Sequence, residues 1–129
     1  MKKYILFITA ALLVAACQES VEERAAKEAR TYTTKNCPAK LGENIMIDSM
    51  AYEASTRTLH YYYTLMGNAD SVGVLSTEEA RSSMLHDLKN TTSMAVYKEA
   101  GFNFAYTYRS QKNPENIIFD ILLTPKDYQ

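Results

Sequence analysis

Two cysteines and two histidines have the most potential for chemistry in this chain of 129 residues. Cys17 and Cys37 could serve in catalysis or metal binding only beside a base or further ligands. The sequence contains no cysteine pair at zinc spacing and no H-E-x-x-H motif, and neither His60 nor His86 lies near a G-x-S-x-G turn. Its four glycines form no phosphate-binding loop. We therefore expect no catalytic residue, no metal site and no cofactor.

The surroundings of Cys17 suggest a different use for its thiol. The chain opens with two lysines, continues with an apolar run over residues 4–13, and reaches Cys17 after small residues. A basic start, a short apolar core and small residues before a break are the parts of a secretory signal peptide. The run is too short for a permanent transmembrane helix, which takes about 20 residues. We expect residues 1–16 to be a signal peptide that is removed.

The segment Val14-Ala15-Ala16-Cys17 resembles the lipobox of bacterial lipoproteins. In that family signal peptidase II cuts before the cysteine, and the thiol carries diacylglycerol. The resemblance implies lipidation at Cys17 and a chain held on a membrane through this lipid. Gln18 after the cysteine resembles lipoproteins sorted to the outer membrane, which implies a place in the bacterial envelope facing the periplasm or the cell surface. The alternative is an ordinary secretory signal that leaves a free thiol.

The charge and size of the chain limit the classes of partner. The formal net charge is −1, and removal of the signal peptide with its two lysines makes the remainder more acidic. Nucleic-acid binding needs a clustered basic face, so we expect no nucleic-acid partner. One domain is expected at this length. If Cys17 is lipidated, Cys37 is a half-buried hydrophobe, a reactive thiol or half of an intermolecular disulfide.

The residues after the lipobox predict a lipidated tether with a short helix. Ser20 and Glu23 form a capping-box pattern, and the alanine-rich segment to Arg30 favours helix. Residues 31–40 are predicted to be irregular. The chain is thus divided into a signal peptide over residues 1–16, a tether over residues 17–36 and one domain over residues 37–129.

Alternating apolar residues predict four strands in this domain, over residues 44–52, 58–66, 102–109 and 116–124. Two helices are expected between the second and third strands, because Ser76 and Glu79 form a capping box and a helical stripe follows. The pattern predicts an α+β two-layer sandwich. Its four-stranded, mostly antiparallel sheet would have the order of elements ββ-αα-ββ, with the helices on one face. The order of the strands within the sheet stays open.

The same alternation divides the apolar side chains between two faces of the sheet. The inward face is predicted to carry Ile45, Ile47, Leu59, Tyr61, Tyr63, Leu65, Phe102, Phe104, Tyr106, Ile117, Phe119, Ile121 and Leu123. The opposite face is too apolar for full solvation, and an exposed apolar patch usually marks a contact. The N-terminal helix could cover this face instead. The predicted binding face consists of Met50, Tyr52, His60, Tyr62, Met66, Arg109 and Leu122.

The sequence therefore predicts a membrane-anchored, non-enzymatic envelope lipoprotein that acts as a binding or accessory module for a protein partner. Beyond the signal, the chain resembles small uncharacterised lipoproteins of Gram-negative envelopes. The alternative is a small-ligand-binding or inhibitor domain with a tyrosine-lined pocket between helix and sheet. An enzyme is a third reading, which would require His60 to lie between a buried carboxylate and a hydroxyl or thiol.

Overall fold

The computed structural model describes residues 19–71 and 76–129, which form a five-stranded sheet packed against helices. The strands lie side by side in chain order: β1 (Ala39–Lys40), β2 (Ile45–Glu53), β3 (Thr58–Leu65), β4 (Asn103–Ser110) and β5 (Ile117–Leu123). The helices are α1 (Val21–Asn36), α2 (Thr77–Asn90), α3 (Ala95–Glu99) and α4 (Pro125–Tyr128), with 3-10 turns at Gly67–Ala69 and Thr92–Met94.

The predicted α+β class and mostly antiparallel sheet are confirmed, but the prediction of four strands missed β1. This strand has two residues, too few for any alternation to be visible in the sequence. The signal peptide over residues 1–16 and Cys17 lie outside the described residues.

The sheet has one parallel pair at its centre. The strands β3 and β4 run parallel, and every other neighbouring pair is antiparallel. A parallel pair needs a crossover connection, and here the chain crosses through α2 and α3. The register places Tyr61 beside Tyr106 and Tyr63 beside Tyr108 on the two central strands.

The start and the end of α2 are both fixed by side chains. The Ser76 hydroxyl accepts a hydrogen bond from the Glu79 amide at 3.1 Å, and the Glu79 carboxylate accepts one from the Ser76 amide at 3.3 Å. This is the predicted capping box, and it satisfies amides that the first helical turn leaves free. At the other end Lys98 donates to the carbonyls of Leu88 and Thr91 at 2.7 and 2.9 Å. These bonds fix the crossover over the sheet.

The helix α1 is longer than the sequence predicted. It continues through residues 31–36, which were expected to be irregular. The Thr33 hydroxyl donates to the carbonyl of Met50 at 2.8 Å and accepts from its amide at 2.9 Å. This contact with β2 supplies tertiary stabilisation that the local helix propensity lacks.

The alanine face of α1 packs directly on the sheet. Ala25 and Ala29 are 0% and 1% exposed, and Ala25 belongs to the same buried cluster as Leu59 and Phe102. Small side chains allow the helix axis to approach the strands closely. The helical part of the predicted tether therefore packs on the sheet through Ala25 and Ala29.

The core lies between the helices and the face of the sheet that they cover, here called the inner face. Its largest fully buried side chains are Tyr97, Phe102, Phe104, Leu59 and Leu123. Burial of each such apolar side chain contributes about 1.5–3 kcal/mol. The opposite side of the sheet is called the outer face below.

A bulge in β2 moves two predicted binding residues to the inner face. Asp48 is an extra residue relative to β3, and beyond it Met50 lies opposite Tyr61 and Tyr52 lies opposite Leu59. Both Met50 and Tyr52 pack against the core. An extra residue reverses the alternation of the strand beyond it. The prediction that Met50 and Tyr52 belong to the outer face is therefore wrong.

Two further positions differ from the predicted faces. A second shift of register, between Tyr108 and Arg109, pairs Arg109 with Ile117. Ile117 is 45% exposed although it was predicted to face inward. Met66 was predicted to form part of the exposed patch, but it lies just beyond β3 and is only 8% exposed. The alternation in the sequence gives no sign of either change, because both occur where a strand begins or ends.

Candidate functional site

Four tyrosines on the inner face form a stacked surface, here called the tyrosine platform: Tyr61, Tyr63, Tyr106 and Tyr108. The parallel register aligns them in two pairs across β3 and β4. The ring centroids lie 5.3 Å apart in the pair at positions 61 and 106 and 4.5 Å apart in the pair at positions 63 and 108. All four rings are half-buried rather than sealed in the core. The platform therefore presents apolar rings and polar hydroxyl groups at a partly open surface.

The helix α2 and the turn after it form a wall over the platform. The cavity between them has a volume of about 260 Å³ and is here called the tyrosine groove. The Tyr61 hydroxyl donates to the Met94 sulfur at 3.4 Å, which joins the platform to this wall. Besides the platform, the groove is lined by Met84, Asp87, Leu88, Thr91 and Met94.

Two further cavities lie next to the groove. One of about 320 Å³ shares Met84, Asp87 and Tyr108 with it and extends to Leu65 and Phe119. The other, of about 470 Å³, shares Met94 with the groove and extends to α1. The first cavity shares three lining residues with the groove and forms an open trough together with it, whereas the second meets the groove only at Met94, whose sulfur accepts the Tyr61 hydrogen bond. Methionine side chains adapt to differently shaped apolar groups, which suits a surface that binds a flexible segment.

The phenol groups of the platform are held in their neutral form. Burial raises the pKa of all four tyrosines, and that of Tyr63 is raised to about 12. Neighbouring tyrosines raise these pKa values further, and Asp87 adds to the effect at Tyr106 and Tyr108. At neutral pH the platform is therefore uncharged and can donate hydrogen bonds through its hydroxyl groups.

Asp87 is the charged group of the groove. It is exposed on α2 and lines both the groove and the cavity that extends to Leu65. It takes part in none of the ion pairs found within residues 19–71 and 76–129. A carboxylate at the rim of an apolar trough can meet a basic side chain or a hydroxyl group of a bound segment.

The outer face carries the remaining residues of the predicted binding face. His60 and Tyr62 alternate along β3, Arg109 lies beside Thr64 in the register of β4, and Leu122 on β5 is 49% exposed. The structure therefore keeps His60, Tyr62, Arg109 and Leu122 together and separates Met50, Tyr52 and Met66 from them. A cavity of about 380 Å³ lies beside this group and is lined in part by Glu53, His60, Asp120 and Leu122.

His60 is the centre of a hydrogen-bonded chain on the outer face. Its Nδ1 bonds to Glu53, and its Nε2 lies 2.7 Å from the Thr107 hydroxyl. That hydroxyl donates to Asp120 at 3.2 Å. The Tyr62 ring stacks on the imidazole with centroids 4.1 Å apart.

A carboxylate, a histidine and a hydroxyl in sequence are the parts of an activated nucleophile. Here Thr107 is only 4% exposed, and its hydroxyl proton is directed away from His60. Glu53, in contrast, has a side chain that is 43% exposed. This hydrogen-bonded chain therefore has no accessible nucleophile. Its geometry fits a row of polar contacts that aligns β2, β3, β4 and β5.

The remaining chemical candidates are single groups. Cys37 follows α1 and is a free, half-buried thiol, whose pKa is raised by burial and by Asp48. In the part of the chain that the structure describes, no three His, Cys, Asp or Glu side chains are placed to hold a metal ion. None of the helices described there has the length and apolar character needed to cross a bilayer.

Sequence reasoning placed the platform tyrosines at positions 61, 63 and 106 on the inner face as core residues, and its alternative was a tyrosine-lined pocket between helix and sheet. Asp87 was missed, because an acidic residue on the polar side of a helix carries no signal of its own. The use of tyrosine at inward positions of two strands was the signal available, since a sealed core favours phenylalanine or leucine.

Comparison with protein families identifies both parts of the chain. A family described as a domain of unknown function, DUF8479, matches residues 20–119. The prokaryotic membrane lipoprotein lipid attachment site matches residues 1–18, which confirms the lipobox read from the sequence. The protein is thus a lipid-anchored lipoprotein of the bacterial envelope. No curated protein matches the chain.

Three solved structures share its fold. A Pseudomonas aeruginosa protein described as secreted is 11% identical, with a TM-score of 0.68 over 87% of this chain and 100% of its own. The type II secretion system pilotin AspS from Vibrio cholerae is 18% identical, with a TM-score of 0.61 over 82% of this chain and 90% of its own. The pilotin EpsS of the Vibrio vulnificus type 2 secretion system is 16% identical, with a TM-score of 0.65 over 84% and 91%. At these identities the likeness establishes the fold alone.

Proposed function

The chain belongs to the DUF8479 family, and we propose that it is a lipid-anchored accessory module that binds a segment of a partner protein in the tyrosine groove. The observation that carries this proposal is the half-buried tyrosine platform beneath an open apolar trough. Tyrosine and methionine are enriched at protein interfaces, because they provide large contact areas with few polar groups to desolvate.

The anchor in this proposal is a lipid on Cys17. The match to the lipid attachment site supports it, and so does the position of this cysteine directly after two alanines. Gln18 supports sorting to the outer membrane. The likeness in fold to two pilotins of type II secretion systems supports a partner in the machinery of such a system.

A protein segment fits the groove better than a small ligand does. Small-molecule sites are concave and bury most of the ligand surface. Here the groove and the neighbouring cavity that shares Met84, Asp87 and Tyr108 with it form an open trough beside α2. An amphipathic helix or an extended segment could place successive apolar side chains along such a trough. The second candidate function, a small-ligand-binding domain, rests on the groove volume of about 260 Å³ alone.

In this proposal the module acts by binding, and the His60 chain on the outer face has a structural role because Thr107 is buried. The outer face itself stays a second candidate surface for a partner. Its supporting observation is the exposure of Leu122 beside His60, Tyr62 and Arg109. The groove has the stronger case, because its aromatic surface is larger and more continuous.

A matched pair of substitutions separates the two surfaces. Met84→Lys places a charge in the groove, and Leu122→Lys places the same charge on the outer face. The lipidated chain and both variants are purified from envelope extracts, and the proteins that accompany them are compared by quantitative mass spectrometry. We expect an envelope protein that is captured by the parent chain and Leu122→Lys but lost with Met84→Lys.

Thermal unfolding of both variants is the control for folding. If Met84→Lys keeps its melting temperature and captures the same proteins as the parent chain, the groove is not the binding site. Loss of the partner with Leu122→Lys alone would assign binding to the outer face instead.

A further inference from the structure

The start of α1 lies near the first residues of the two central strands, and the tyrosine groove lies farther along them. The position of the anchor follows from the packing of α1, which begins at Val21 with Ser20 as its N-cap. Cys17 precedes Ser20 by three residues, and an extended chain spans at most about 3.6 Å per residue. The lipid is therefore attached within about 11 Å of Ser20, the N-cap of a helix that is fixed on the sheet.

The start of α1 lies beside one end of the sheet. The Arg57 side chain, in the turn between β2 and β3, donates to Glu22 and to the carbonyl of Ala100, each at 2.9 Å. These contacts bring together the helix start, the turn over residues 54–57 and the segment that leads into β4. This group is called the anchor end below.

The groove lies toward the other end. Because β3 and β4 run parallel, both leave the anchor end at their first residues, Thr58 and Asn103. Tyr61 and Tyr63 line the groove and are three and five residues along β3, so at about 3.3 Å per residue they lie about 10 and 16 Å from the strand start. The aromatic rings of Tyr52, Tyr97 and Phe102 fill the inner face near the anchor end, with centroids 5.4 Å apart in two successive pairs. The groove therefore opens beyond this packed region.

We infer that the anchor end rests on the lipid headgroups and that the groove is held on the far side of the domain, facing away from the bilayer. The anchor end contacts the lipid surface because the segment between the lipidated Cys17 and Ser20 is short. The inference rests on the proposed lipidation of Cys17 and gives the proposed partner a direction of approach.

The short connection, rather than charge, produces this contact. The anchor end carries Glu19, Glu22 and Glu23, of which Glu22 is paired with Arg57. An acidic surface has no attraction for anionic lipids. With a longer connection, this acidic domain should therefore leave the membrane surface. A domain with a basic surface would stay bound to anionic lipids.

The test uses fluorophores at the two ends of the lipidated full-length chain. In a Cys37→Ser background, Ser55→Cys places a label in the turn at the anchor end, and Glu115→Cys places one in the loop between β4 and β5 at the far end. Both positions are exposed. The proteins are reconstituted in vesicles of phosphatidylethanolamine and phosphatidylglycerol that contain a lipid with a nitroxide quencher on its headgroup.

We expect a loss of fluorescence at position 55 and none at position 115. Insertion of a flexible Gly/Ser linker of about ten residues between Gln18 and Glu19 should remove the loss at position 55. Equal quenching at both positions, or quenching at position 115 alone, overturns the inference. Quenching at position 55 that persists with the linker overturns the role of the short connection.

The Cys17→Ser variant separates this inference from the proposed anchor. It should not float with the vesicles. If the parent chain itself fails to float with the vesicles, the proposed lipid anchor is wrong. The inferred orientation is then also wrong, because it depends on this anchor. Partner capture by the groove is measured independently with Met84→Lys. That result can therefore be interpreted even if the inferred orientation is wrong.

Discussion

At the scale of single residues, the choice of tyrosine decides what the inner face can do. The four platform rings stack like core aromatics, but each carries a hydroxyl at a half-buried surface. The same residue type has a structural use at Tyr97, which is 1% exposed and whose hydroxyl donates to Glu28 on α1. Tyrosine thus forms a candidate binding surface at four positions and joins α3 to α1 at Tyr97.

The bond between Tyr97 and Glu28 predicts a pH-dependent contribution to stability. Burial alone would raise the pKa of Glu28, but the hydrogen bonds from Tyr97 and Arg24 lower it below its ordinary value. The bond therefore stabilises the fold above the pH at which an unfolded glutamate titrates, and the contribution is lost as the pH falls through the lower folded pKa. Because Glu28 is 45% exposed, we expect Tyr97→Phe to lower the free energy of unfolding by about 1 kcal/mol at pH 7.

Urea unfolding of Tyr97→Phe at pH 7 and pH 3 checks this prediction, and the difference from the parent chain should shrink at pH 3. Tyr128→Phe is the matched control, because its hydroxyl donates to the neutral carbonyls of Phe102 and Lys98. The control should lose about the same stability at both pH values. A loss for Tyr97→Phe that does not change with pH contradicts the assignment of Glu28 as its charged partner.

Single residues also mark the limit of the sequence-based prediction. The alternation along β3 and β4 correctly placed Tyr61, Tyr63 and Tyr106 inward. It failed beyond Asp48, because one extra residue reverses the faces of Met50 and Tyr52 without changing the composition of the strand. No local signal distinguishes this bulge from a regular strand.

At the scale of elements, the helix α1 shows how tertiary contacts override local preference. The capping residue Ser20 and the alanine-rich segment were sufficient to predict its start. Its extension to Asn36 depends on the Thr33 bonds to β2, which involve residues far apart in the sequence. The strand β1 escaped prediction for the same reason, because its two residues are defined only by pairing with β2.

The close approach of α1 to the sheet predicts strong sensitivity to side-chain size. Ala25 is fully buried, so Ala25→Leu must displace the helix or its neighbours. We expect the free energy of unfolding to fall by about 1–3 kcal/mol, measured by urea denaturation. The adjacent half-exposed Ala26 provides the control, and Ala26→Leu should change it by less than about 0.5 kcal/mol. Equal effects of the two substitutions would show that α1 is not docked through Ala25.

At the scale of the whole molecule, the anchor and the fold together define the proposed module. The lipobox was readable from the sequence because its parts are contiguous, and the α+β class followed from the order of elements. A tyrosine-lined pocket was expected only as an alternative, and its position could not be read from the sequence. It arises where the parallel pair at the centre of the sheet aligns tyrosines from two distant segments, and where the crossover through α2 leaves them partly uncovered.

The most direct test of the proposed function is photo-cross-linking in the native envelope with p-benzoylphenylalanine at position 84 in the groove or at position 122 on the outer face. Both positions replace apolar side chains with some exposure. We predict one cross-linked product of defined mass from position 84 and none from position 122. A product from position 122 alone, or no product from position 84 in a correctly folded and membrane-bound chain, would contradict binding in the tyrosine groove.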